Sequence, residues 1–217
     1  MMLWALIGLG IFFLLLTYII VQGARAAIAW RTAAAKGDVD VIRLIVDDSI
    51  SAWRSMKRPK PVPPEVWRGV QSLQCVEVGP DFVRVSCQAQ AEYQMRDGKW
   101  AEVRNPLQEG FAIAARVAEM VFYDLPHFRP ARVQVDVYTS FREGDSGFTQ
   151  NVCILSVESD CGRAREVDWD EWTPEEIVDA LGARYRLGER GQPLAIEVAP
   201  PAGEQAADSE SKAAAGQ

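Results

Sequence analysis

Residues 3–21 read LWALIGLGIFFLLLTYIIV, and the rest of the chain is arranged around them. Nineteen residues pass without a charge, and Thr17 is the only strongly polar side chain among them. As a helix this run covers about 28 Å, close to the ~30 Å hydrocarbon core of a bilayer. Lipid offers the backbone no hydrogen-bond partner, so a single crossing segment has to be a helix. Residues 1–22 are therefore predicted to form a transmembrane anchor.

Sidedness follows from the charges beside the run. Only the amino terminus precedes it, whereas Arg25, Arg31 and Lys36 follow it, with no acid before Asp38. The positive-inside bias places these three membrane-proximal basic residues, and the domain beyond them, in the cytoplasm. A cleaved secretory signal is the alternative, because Ala24-Arg25-Ala26 resembles a small-x-small cleavage site. A signal also requires a basic n-region and a shorter apolar stretch, and this chain has neither. Gly8 and Gly10 do not form GxxxG, so they do not specify helix dimerisation.

The net charge of −7 is unevenly spread. Residues 23–60 carry eight Lys/Arg against four Asp/Glu, while residues 158–217 carry six against fourteen. The basic portion lies next to the bilayer, where anionic headgroups attract it. Lipid and nucleic acid alike would repel the acidic portion, and no basic stripe interleaved with aromatics exists, so a nucleic-acid partner is disfavoured and none is expected. Cys75, Cys87, Cys153 and Cys161 lack CxxC spacing, and the chain has one histidine, which disfavours a structural zinc site. Reduced, mostly buried thiols are expected.

Residues 23–37, rich in alanine, extend the membrane helix to a stop at Gly37, with Trp30 and Tyr18 as interfacial aromatics. Asp38 is the next N-cap, and Ile42, Ile45, Val46, Ile50, Trp53 and Met56 line one face of an amphipathic helix over 38–56. Residues 57–64, KRPKPVPP, read as an extended, semi-rigid basic linker.

The period changes to two after Glu65. Val83, Val85, Cys87, Ala89, Ala91 and Tyr93 alternate with Arg84, Ser86, Gln88, Gln90 and Glu92, and Gly79-Pro80-Asp81 turns the chain from a preceding strand. Pairing Val78 with Val83 and Val76 with Val85 would point Cys87 inward and Cys75 outward. A third strand over 99–104 follows the Asp97-Gly98 turn. Asn105-Pro106 opens a helix with a broad apolar stripe, which is expected to lie across the sheet. A second hairpin spans 132–158, and residues 161–171 form an acidic connection. Thr173-Pro174-Glu175-Glu176 is a capping-box helix start. A small hairpin over 184–198 ends the folded part, and residues 200–217, without aromatic or branched aliphatic side chains, read as a disordered tail.

These signals give an α+β domain over 65–199, with a mainly antiparallel sheet of two hairpins packed on one central and one N-terminal helix. No nucleophile elbow, phosphate loop or dinucleotide fingerprint occurs, and no cofactor is implied. His127 sits alone in a loop. Asp168, Asp170 and Glu171 lack the spacing of a calcium loop. Trp169, Asp170 and Trp172 are the expected partner contact, because tryptophan is enriched where binding energy concentrates. The chain is expected to be a single-pass membrane protein with a cytoplasmic binding or assembly module, its partners the lipid bilayer and another protein or its own copy. A tethered enzyme or small-ligand binder with a pocket around His127, Asp124 or Asp136 is the alternative, as is an exported domain.

Overall fold

The computed structural model describes residues 2–90, 92–96, 99–142, 149–189 and 191–198. It is an α+β fold with a mixed sheet and a long apolar N-terminal helix, α1 (Met2–Ala35). Among the described residues this helix alone is long and apolar enough to cross a membrane, and its apolar window is not buried against the rest of the chain. It stops where Gly37, at φ +76°, lets the N–H of Asp38 reach back to the carbonyl of Ala33. A Cβ on Gly37 would come within 3.0 Å of Pro80, so this corner rests on the first sheet turn. The carboxylate of Asp38 then accepts the N–H of Val41 and starts α2 (Val39–Ser55), which buries Ile42, Ile45, Val46, Ser49, Ile50 and Trp53, whereas Met56, expected on that face, leaves the helix as its C-cap and is exposed.

The linker is shorter than its prolines suggested. Pro64 occupies the first position of a helix, α3 (Pro64–Gln71), which buries Val66, Trp67, Gly69 and Val70. Proline fits a first helical turn because its missing N–H has no intrahelical acceptor there. The two-turn element is too short for its periodicity to show in the sequence. It is held from both sides: the Gln71 side chain donates to the carbonyl of Arg54, and the Arg54 guanidinium donates to that of Leu73.

The main sheet runs in the order β1 (Gln74–Val78), β2 (Phe82–Gln88), β5 (Arg132–Arg142), β6 (Thr149–Asp160), β7 (Ala183–Leu187) and β8 (Pro193–Leu194). β3 (Glu92–Arg96) and β4 (Lys99–Arg104) form a separate ribbon, so the strand expected to run unbroken from 83 to 93 is interrupted after Gln88. The Asp97-Gly98 turn and the tail 200–217 lie outside the described residues.

Neighbouring strands are antiparallel except β2 and β5, which pair in parallel from Phe82↔Arg132 to Gln88↔Tyr138. The sheet is thus mixed rather than assembled from hairpin contacts alone. A parallel pair needs a crossover. It is supplied by the ribbon and α4 (Pro106–Tyr123), which packs on β2, β5 and β6. Ile113, Ala114, Val117, Ala118 and Val121 of α4 join Val83, Val85, Val133, Val135, Val137, Leu155 and Val157 in the buried core.

Two expectations about side-chain phase are corrected. Register shifts between Cys75 and Glu77, so Cys75, not Val76, stands opposite Val85. A bulge inserts one extra residue, and this one turns the half-buried Cys75 toward the core. All four cysteines are unbonded. The alternate, polar phase of β2 is also not uniformly wet: Arg84 is 4% exposed, beside Asp136 of β5 at 0%. Arg84 Nε donates to Asp136 Oδ2 at 2.7 Å, while Ser156 Oγ and Gln134 Nε2 donate to Oδ1 at 2.7 and 3.0 Å. Burial is tolerated because the carboxylate is met on both oxygens.

One short helix, α5 (Cys161–Glu166), fills part of the 161–171 stretch that read as a connection, and starts where Asp160 accepts the N–H groups of Gly162 and Arg163. A second, α6 (Pro174–Ala180), stands where the Thr173 capping box predicts it.

Two stability changes are expected. A Cβ on Gly69 would overlap the fully buried Ile113 side chain, so Gly69→Ala should destabilise by about 1–3 kcal/mol in denaturant titration. Asp136→Ala should cost about 3–5 kcal/mol, and the double change Arg84→Met/Asp136→Leu markedly less than the two single losses added. Additive losses would show that the two groups are not coupled.

Candidate functional site

A groove of about 330 Å³ opens on the outer side of α4. Its floor is Ala112 and Ala115, whose small side chains leave the space, with the Arg116–Glu119 ion pair (2.5 Å) on the same helix. One wall is Pro61, Val62, Pro63 and Val66; the other is Trp169, Asp170, Trp172, Pro174 and Ile177. Trp169, Asp170 and Trp172, singled out from sequence, are thus brought together on one surface. The opposing proline wall escaped the sequence reading because KRPKPVPP reads equally well as a spacer; its partner across space is about 110 residues away in the chain.

Each wall is held by local hydrogen bonds. The carbonyl of Ala164 in α5 accepts both Trp169 Nε1 and Tyr123 Oη, each at 3.0 Å, and the two rings meet edge to face at 6.0 Å. Trp169 is thereby fixed against the end of α4, half-buried. Asp168 Oδ1 accepts the N–H groups of Asp170 and Glu171, and its carbonyl accepts that of Trp172. This turn carries the second indole, 41% exposed, to the groove mouth. Beyond it the Thr173 hydroxyl and N–H donate to Glu176, holding that carboxyl below its ordinary value and anchoring α6. On the other side Arg58 Nη1 donates to the carbonyl of Val62 at 2.5 Å, and the N–H of Val62 donates to that of Pro59. Both walls are therefore set before any ligand arrives, which reduces the ordering cost of binding.

The remaining candidate residues stand apart from the groove. Arg25 and Arg31 are exposed along the C-terminal part of α1, and Lys36 is exposed in the turn after it. His127, at φ +64°, lines a separate crevice of about 480 Å³ with Trp30, Leu44, Ile45, Asp48 and Pro126, between the end of α1, α2 and the loop after α4. Asp136 is engaged in the buried cluster on the sheet, and Asp124 caps the C-terminus of α4, so His127, Asp124 and Asp136 do not converge on one pocket. Among the described residues no group of three metal-ligating side chains is found.

Three thiols, Cys75, Cys87 and Cys153, are held protonated by their surroundings. Burial, reinforced by the Asp136 carboxylate, pushes the Cys153 thiol up to about 12 and raises that of Cys87; burial and then Asp47 raise Cys75 to about 11. An acid whose folded value lies above its unfolded one stabilises the fold fully below the unfolded value, near 9.0, and progressively less as pH climbs toward the folded value. Thermal melts should therefore show stability falling from about pH 9 upward, with a shallower fall in Cys153→Ala; an unchanged slope would contradict the burial of that thiol. No protein-family model, curated protein or solved structure matches the chain, so the groove has to be interpreted from its own residues.

Proposed function

We propose that the protein is a single-pass membrane-anchored binding and assembly module whose soluble domain faces the cytoplasm. The observation that carries this reading is the preformed groove, with Trp169 and Trp172 facing Pro61, Val62 and Pro63 across a floor of alanines. Such a surface suits an extended apolar segment of another polypeptide: aromatic and proline walls bury area at little entropic cost, and the small floor admits side chains. Its polar groups, Arg116, Glu119 and Asp170, lie among apolar walls, as in interfaces where charge orients a partner that apolar contact holds.

The length and apolar character of α1 support anchoring, and Arg25, Arg31 and Lys36 support the inward orientation. In this reading α1 delivers the domain to the membrane surface, and the Gly37 corner, seated on Pro80, limits its swing relative to the anchor. Concentrating a module in a plane raises its effective concentration toward partners in the same plane.

The test is site-specific photocrosslinking in native membranes with the reactive group at position 172. Discrete adducts are expected, and Ala112→Trp, which fills the floor from a half-buried position, should remove most of them. Adduct yields unaffected by that filling would reject the groove as the binding surface. In parallel, protease added to inverted vesicles should digest the domain while intact cells protect it; the opposite pattern would place the domain outside.

A further inference from the structure

We propose that the groove face is the twofold interface of a homodimer, with the basic lip at residues 57–60 of one copy set against the acidic lip at residues 168–171 of the other. The inference rests on the binding-module reading above and names its partner.

The groove is asymmetric in charge. Beside its proline wall Lys57, Arg58 and Lys60 are exposed with no acid among them, and Arg58 is tied to the groove wall through the Val62 carbonyl. Beside its tryptophan wall Asp168, Asp170 and Glu171 are exposed with no base among them, and Asp170 itself lines the groove. Among the described residues, none of these six side chains takes part in an ion pair within the chain, although ion pairs form elsewhere on the surface. Two opposite, unpaired lips separated by an apolar groove are self-complementary. A twofold rotation through the groove brings each basic lip onto the partner's acidic lip, twice over, because an isologous interface repeats every contact. The same rotation sets the exposed Trp172 of each copy toward the proline wall of the other, giving the apolar centre and charged rim of a specific interface. An unrelated partner would need both charges in this order; a second copy carries them already. With both anchors entering one bilayer, the axis lies along the membrane normal.

The test uses the full chain in detergent micelles, with self-association followed by sedimentation equilibrium. One variant carries Lys57→Glu and Lys60→Glu, the other Asp170→Lys and Glu171→Lys; these exposed positions leave the Arg58 and Asp168 hydrogen bonds in place, and thermal melts check folding. Each variant alone should lose about tenfold or more in dimer affinity, and an equal mixture should recover to within about threefold of the native chain, because the reversed lips now match between copies. The native dimer should also weaken as salt rises from roughly 0.05 to 0.5 M. Three results overturn the proposal: a native chain that stays monomeric, a mixture no tighter than either variant, or dimers equally strong in all variants, which would locate self-association in α1. A monomeric chain whose adducts at position 172 still vanish in Ala112→Trp would leave the binding-module reading intact while removing this one.

Discussion

The packing of α4 across the parallel junction of β2 and β5 is the contact on which the rest of the molecule depends. Parallel strands cannot be joined by a tight turn, so the chain must leave the sheet, cross it and return. α4 makes that crossing and buries a face broad enough to serve the sheet on one side and α3 and α6 on the other. Its small residues matter as much as its large ones. Ile113 fits into the space left by Gly69 of α3, an approach that any side chain there would block. Without this helix the two hairpins would have no reason to lie side by side in one sheet.

The groove is a consequence of the same helix. A helix buried on nearly all sides leaves a narrow outward strip, and on α4 that strip includes Ala112, Arg116 and Glu119. Two segments far apart in sequence flank it, the proline wall entering α3 and the tryptophan turn entering α6, and each is stiffened by its own hydrogen bonds before it meets the other. The shape therefore belongs to the fold rather than to any ligand. The polar cluster around Asp136 is the counterpart on the sheet: a carboxylate buried mid-strand is tolerated because Arg84, Gln134 and Ser156 are placed by strand register to meet it. These groups meet only in the observed strand register, and desolvating both charges offsets much of their attraction.

What the sequence determined by itself was most of what neighbours along the chain govern, the short helices α3 and α5 excepted. The uncharged run before Val21, the Gly37 stop with its Asp38 cap, the buried stripe from Ile42 to Trp53, the Asn105 start of α4 and the Thr173 capping box all act within one or two turns, and each was legible from spacing and residue type. The tertiary structure decided what depends on distant contacts. Strand alternation cannot say which hairpin lies beside which, so the parallel β2–β5 pair was invisible. A bulge such as the one at Val76 changes facing by one residue without changing composition, so Cys75 was assigned to the wrong side. The Arg84–Asp136 pair could not be read from alternation, because its mutual satisfaction requires two strands brought together. The proline wall became half of a groove only once α4 carried the chain back to it; no local pattern holds information about a surface whose two sides meet only in the folded state.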